Sequence, residues 1–419
     1  MASPLGQLKQ IGPAIIVAAV VLGPGSITTS TKVGAAFGYS ALWVLAILLV
    51  LLIGVASLAA WLGASLEKPL CQELSARLGP WAGYVIGIAM FLIVAGFQSS
   101  NNMAVVAGIE PLLGGEKLPA PVIILLLAAV NGAIILILYR ARNLYKQVER
   151  IMKFFVLAMV LAFLINFLWS GPSIGGALKG VVPNFSMFGD PAQAVLLMGL
   201  IGTTYSVAGA FYQGYLVRER GWGPSEVKSG SKDSMIGMFV LVGVTSIVMM
   251  TSAATFFGKV GPDELGDAGA MSAQLQNTFG PIASYIFCFG FLAGAFSSFM
   301  VNAMIGGHVF SDGMGLGSQL KGKPALHATT AALLIGMLVG VLALTTEFDR
   351  TTTIVIAQAS TVIGGPAVVA GLLFLGWRQF LQGKTKPPLW MLIITSIGML
   401  VSIAVAIRTT LGIIAKLSA

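Results

Sequence analysis

The run VVLGPGSITTSTKVGAAFGYS, residues 20–40, begins as an apolar helix, stops at Gly23-Pro24-Gly25-Ser26, and resumes through Thr28, Thr29, Ser30, Thr31 and Lys32. A proline flanked by glycines interrupts an α-helix. In a bilayer the freed N–H and C=O groups cost several kcal/mol each unless something binds them, so such a break is a place for a ligand. The N–H groups of Gly25 and Ser26 would stand at the positive end of the following half-helix, a nest suited to a carboxylate. Gly23 and Gly25 permit close backbone approach. A second break follows in AVLLMGLIGTTYSVAGAFYQGYLVRERG, where Gly202-Thr203-Thr204-Tyr205-Ser206 and Gly209 interrupt the apolar pattern. Hydroxyls of Ser26, Thr28, Thr203, Thr204 and Ser206, with the Gln358 amide, can satisfy a polar solute without supplying charge. Lys32, two turns beyond the first break, would draw an anion towards the outer vestibule or snorkel to the interface.

The elements that must position these residues are membrane helices. The chain has 419 residues, 57% of them hydrophobic and only 9% charged. Soluble domains carry about 25% charged residues, so most of this chain cannot face water. Apolar stretches long enough to span fall near 11–37, 39–64, 81–109, 119–139, 145–170, 190–216, 230–257, 281–313, 325–345, 351–376 and 388–415, eleven in all. The net charge of +9 does not imply nucleic acid, because the basic residues sit in short loops. Sixteen of the 24 Lys and Arg fall on one side and six on the other, which predicts a cytoplasmic N-terminus and an external C-terminus in an inner (plasma) membrane. No cleavable leader is expected. Cys71 and Cys288 suit neither a disulfide framework nor a metal cluster. The broken spans 1 and 6 hold corresponding places in two five-span halves. An odd span count inverts the second half, so the pattern predicts an inverted repeat: residues 1–170, then 171–380, with an eleventh helix in 381–419.

GPGSITTSTKVGAAFGYSALWVL resembles the first broken helix of the Nramp divalent-metal transporters, where Asp-Pro-Gly-Asn precedes an FGYS-LW stretch. LYKQVERIMKFFVLAMVLAF in span 5, AGAFSSFMVNAMIGGHVFSDG in span 8 and IVIAQASTVIGGPAVVAG in span 10 are similar to further segments of that family. The resemblance covers nearly the whole chain. It implies an all-α polytopic fold of the LeuT type: a 5+5 inverted repeat with helices 1 and 6 broken, plus an eleventh transmembrane helix.

The departures bear on function. The family's metal ligands, an Asp and an Asn in the first break and the Met of Met-Pro-His in the second, match Gly23, Ser26 and Ser206. The Pro-His becomes Val207-Ala208, and a second family histidine matches Gln213. The proton-linked acidic pair of span 3 falls at Gln98 and Asn101, and acidic residues after the first break become Thr28 and Ser30. Gln358 matches a glutamine lining the family's site. All fifteen carboxylates lie in loops or near span ends. Stripping a divalent ion of water for neutral ligands costs at least several kcal/mol, so tight manganese or iron binding and proton symport by the family's route are not expected. The expected cargo is a small polar or carboxylate-bearing solute; a largely hydrated ion such as Mg²⁺ is the alternative. Sodium coupling through hydroxyls and carbonyls, and uncoupled facilitation, stay open. No nucleophile–base pair appears at membrane depth, so an enzyme is not expected; nor is a receptor, for want of a signalling segment. No cofactor is called for. The partners are the lipid bilayer and the substrate, and a monomer is the expected unit.

Overall fold

The computed structural model describes residues 12–189, 191–346 and 350–417; side chains at 191–193, 350–363 and 412–417 lie outside the described residues. Among the described residues all regular structure is helical. The first span is two half-helices, α1 (Pro13–Val21) and α2 (Pro24–Phe37). It is followed by α3 (Leu42–Ser65), α4 (Leu70–Leu78), α5 (Pro80–Ile109), α6 (Ala120–Arg140), α7 (Leu144–Ser170) and α8 (Ile174–Gly180). The sixth span is again split, into α9 (Pro191–Thr204) and α10 (Val207–Glu219). Then come α11 (Val227–Thr255), α12 (Ala268–Phe279), α13 (Pro281–Gly313), α14 (Lys323–Thr345), α15 (Arg350–Gln382) and α16 (Leu389–Leu417).

These boundaries follow local chemistry. Prolines open α1, α2, α5 and α13 at positions where the missing N–H would be unpaired anyway. Asn143 caps α7 by accepting the Lys146 N–H at 3.1 Å, and Gly171 ends that helix in the left-handed region (φ 58°). Nine helical segments among the described residues are long and apolar enough to cross a membrane, α2 and α3 running together as Pro24–Ser65. The links expected as loops carry helices: α8 and the amphipathic α12 lie in the two long ones, and α4 joins α3 to α5. Each is too short to show as a hydropathy span.

Glycine brings the helices together, as expected where lipid offers no hydrophobic drive and backbones must meet closely. A Cβ on Gly63 of α3 would lie 2.1 Å from the Gly214 carbonyl of α10. One on Gly313 of α13 would lie 2.5 Å from Gly83 O of α5. Half-helix α1 packs against α7, α10, α11 and α13, and α10 packs against α3.

Candidate functional site at the helix breaks

The first break is narrower than the sequence implies. α1 ends at Val21, and the Leu22 N–H still donates to Ala18 O at 3.0 Å. Gly23 is extended (φ −81°, ψ 177°) and caps α2, which begins at Pro24. Gly25 and Ser26 are therefore helical, in the first turn of α2, rather than part of an open loop. Their N–H groups have no intrahelical acceptor there, as a nest requires; the first backbone bond of α2 runs from Ile27 N–H to Gly23 O at 3.2 Å. In the second break only Tyr205 and Ser206 leave the helix, and Thr203 and Thr204 close the last turn of α9. Ser206 caps α10, accepting the Gly209 N–H at 3.4 Å.

The hydroxyls divide into two groups. Ser26 Oγ, Thr204 Oγ1 and the Tyr205 hydroxyl are buried and lack a hydrogen-bond partner among the described residues. Such buried hydroxyls keep hydrogen-bonding capacity that a water or a polar ligand at the breaks can use. Others are satisfied locally: Ser30 Oγ donates to Ser26 O at 2.6 Å and Thr31 Oγ1 to Ile27 O at 2.9 Å. Ser30 is fully buried, so it does not line an outer vestibule as expected; Thr28 and Lys32 are half-buried. Thr29 Oγ1 meets Thr203 Oγ1 at 2.8 Å and ties α2 to α9 above the breaks. Val207 is buried at the start of α10. Gln358 belongs to α15, and its side chain lies outside the described residues.

The structure adds residues that the sequence did not single out. Ser297 and Ser298 of α13 abut the first break: Ser297 Oγ donates to Ala19 O at 2.9 Å, and a Cβ on Gly23 would lie 2.6 Å from Ser298 Oγ. Asn302 of α13 donates to Ser298 Oγ at 2.9 Å. The signal was present as a pair of adjacent hydroxyls in the apolar middle of an unbroken helix.

The positions matching the family's proton relay are tied into amide networks. Gln98 Nε2 donates to Phe299 O at 2.7 Å, and its Oε1 accepts from Asn101 Nδ2 at 3.0 Å. The chain continues through Asn102, which donates to Gln98 O and accepts from Asn131. Ala208 is buried without a polar atom to offer. Gln213 Nε2 reaches Asp233 Oδ2 at 3.3 Å and Ser234 Oγ at 3.2 Å.

Two carboxylates near span ends prove to be interior groups. Asp233 of α11 accepts the Gly12 and Ala14 N–H groups at 2.9 and 2.8 Å, closing the N-terminus of α1. Asp312 of α13 accepts from the Tyr215 hydroxyl at 2.7 Å and the Cys71 N–H at 3.1 Å, joining α10, α13 and α4. Arg218, at the same end of α10, donates to the carbonyls of Gly63, Leu66 and Glu67. The Cys71 thiol is wholly buried, and burial beside the Asp312 carboxylate pushes its pKa up. Among the described residues no three His, Cys, Asp or Glu side chains gather where a metal ion would need them.

This architecture has known counterparts. The family model described as "Natural resistance-associated macrophage protein-like" matches residues 14–412. The divalent metal cation transporter MntH of Nostoc sp. is 24% identical over 413 residues, covering 95% of this chain and 89% of its own. MntH of Deinococcus radiodurans is 25% identical over 390 residues, with 90% and 83% covered. Among solved structures, a point mutant of the Eremococcus coleocola manganese transporter superposes with a TM-score of 0.81 at 18% identity, covering 98% of this chain and 88% of that one. MhsT in complex with L-phenylalanine superposes at 0.60 and 16% identity, with 97% and 99% covered. The polytopic helical fold, with its first and sixth spans broken, is that of the LeuT type, and the chain belongs to the Nramp family of integral membrane transporters.

Proposed function

We propose that this Nramp-family protein is an alternating-access carrier whose central site takes a small polar solute bearing a carboxylate, and that it does not carry Mn²⁺ or Fe²⁺ by proton symport. The carrying observation is the chemistry at the two breaks. Gly23, Ser26 and Ser206 stand where the family's resemblance calls for metal ligands, and the buried unpartnered atoms beside them are the neutral hydroxyls of Ser26 and Thr204. A carboxylate would be received by the N–H groups of Gly25 and Ser26 at the positive end of α2, with Thr203, Thr204, Ser206 and Val207 closing the opposite wall and Gln358 completing it. The half-helices would move between two inverted repeats, residues 1–170 and 171–380, followed by the helix in 381–419. The basic loops would face the cytoplasm.

The relatives' names favour a second reading, a divalent ion carried largely hydrated, such as Mg²⁺. A thermal-shift screen of purified protein against small organic acids and divalent metals, followed by uptake in liposomes, separates the two. The proposal expects stabilisation by at least one organic acid and no one-to-one Mn²⁺ isotherm at micromolar concentration. Uptake competed by millimolar Mg²⁺ and by no organic acid would replace it with the second reading.

A further inference from the structure

At the basic-loop end a cleft of about 390 Å³ opens between the α3–α4 link, α4 and the end of α15. Its walls are Glu67, Lys68, Glu73, Ala76, Arg77 and Arg378. The volume falls within the range of small-ligand sites, about 300–1,000 Å³. Only part of the charge in it is used. The Glu73 carboxylate accepts from Arg77 Nε and stands 2.9 Å from Arg77 Nη2, and it receives the Lys68 N–H at 3.4 Å. Glu67, Lys68 and Arg378 are exposed, and among the described residues no ion pair engages their side chains. One carboxylate and two cations therefore share the cleft unpaired. Its rim is apolar. Trp377, Arg378 and Leu381 share one face of α15 by their spacing, and Trp377 is 39% and Leu381 68% exposed. Leu78, next to Arg77, and Trp81, in the first turn of α5, are exposed as well. Exposed tryptophans at the ends of spanning helices belong to the boundary between lipid headgroups and acyl chains. The α15–α16 link is pinned at this level by Thr385 O, which accepts from Trp61 Nε1 at 3.3 Å and Gln379 Nε2 at 3.2 Å.

We infer that this cleft binds the headgroup of a zwitterionic phospholipid with a primary ammonium, phosphoethanolamine. Its phosphate goes to Lys68 and Arg378, a point charge and a planar fork of N–H donors. Its ammonium donates to the Glu67 carboxylate, and the acyl chains run past Leu381 and Trp377. Both signs of charge enter the choice. A headgroup that is only anionic leaves Glu67 unpaired and meets repulsion from it. A phosphocholine keeps the positive charge but has no N–H to give a carboxylate. Lys384 and Lys386 of the α15–α16 link are exposed too, but they do not line the cleft. A lipid held there joins α4 to the end of α15, segments remote in the chain. None of its contacts belongs to the helix breaks, so binding is measured without any transported solute.

The test is native mass spectrometry of the purified full chain titrated with phosphatidylethanolamine, its N-methyl and N,N-dimethyl derivatives, phosphatidylcholine and phosphatidylglycerol, all with the same acyl chains. Phosphatidylethanolamine should bind about tenfold or more tighter than phosphatidylcholine or phosphatidylglycerol, with affinity falling along the methyl series as N–H donors are lost. Glu67→Gln should erase the preference over phosphatidylglycerol, and Arg378→Gln should weaken both of these lipids. Lys259→Gln, exposed beyond the far end of α11, is the control and should change nothing. The substituted side chains are exposed, so each variant should melt like the wild type, and the methyl series needs no variant at all. Equal binding of all five lipids, tightest binding of phosphatidylglycerol, or Glu67→Gln and Arg378→Gln proteins that keep the wild-type pattern would each overturn the site.

Discussion

Placing aspartate at Gly23 is the direct way to ask what this site has lost. A Cβ there would lie 2.6 Å from Ser298 Oγ and 2.9 Å from Ser298 Cβ. The hydroxyl can rotate away. The Cβ cannot, so α13 must shift. Overpacking of this kind costs about 1–3 kcal/mol, and a carboxylate beside the free carbonyls at the end of α1 adds to it. Ser298→Gly removes both obstructing atoms. Gly23→Asp alone should therefore lower the apparent melting temperature by about 1–3 °C, at roughly 1 °C per kcal/mol for a chain of this length, and Gly23→Asp/Ser298→Gly should recover most of it. With its carboxylate accommodated, the double variant should also gain stabilisation from Mn²⁺, about 2.7 kcal/mol at a concentration 100 times its Kd. Scanning fluorimetry of the wild type, both single variants and the double variant, with and without Mn²⁺, reads both effects. A Gly23→Asp single variant that melts like the wild type, or that responds to Mn²⁺ as the double variant does, refutes the steric argument. Mn²⁺ stabilisation of the wild type refutes the chemical one.

Three further outcomes follow from the interior networks. Asp233→Asn turns an amide donor towards the Gly12 and Ala14 N–H groups it now accepts; the melting temperature should fall by an amount corresponding to about 1–3 kcal/mol, and an unchanged melt would show that α1 is held elsewhere. Gln98→Leu leaves Phe299 O and Asn101 Nδ2 without their partner; it should cost about 1–3 kcal/mol and leave any proton flux in pH-dye liposomes unaltered, whereas a lost substrate-linked pH signal would mark Gln98 as part of a relay. Cys71, buried and with its thiol pKa raised, should resist maleimide at neutral pH in the folded protein and label only once the protein is denatured; mass spectrometry showing labelling of the folded protein would contradict the packing.

The parts of the fold set by hydropathy were legible, since every apolar stretch of spanning length corresponds to a helix or a broken pair. The breaks were legible too, because Pro24 and the glycines have few other uses inside an apolar run. Their extent was not. Whether Gly25 opens a loop or starts a helix depends on how Pro24 is used, and proline is equally at home at a helix start. The buried roles of Asp233 and Asp312 were hidden because distance from a span end says nothing about which neighbours cover a residue. Ser297 and Ser298 were missed for a related reason: hydroxyls in an unbroken helix usually bond their own backbone, and only the close approach of α1 at Gly23 and Gly294 gives them another task.

The two ends of the broken helices are fastened with unequal strength. On the side of α2 and α9 the ties are neutral: Thr29 meets Thr203, Ser252 Oγ donates to Thr31 O, and Gly34 lies against the Met249 backbone. At the basic-loop end stand Asp233 on two amides, Asp312 on Tyr215 and Cys71, Arg218 on three carbonyls, and the backbone contact of Gly63 with Gly214. Hydrogen bonds involving an ionised group are about twice as strong as neutral ones. Each difference of about 1.4 kcal/mol shifts a two-state population tenfold. For a carrier of the kind proposed above, this fastening makes the basic-loop end the harder one to part, so the expected resting form is shut at that end. The energy that unlocks the shut end must then come from the cargo, through contacts made better once the end has opened.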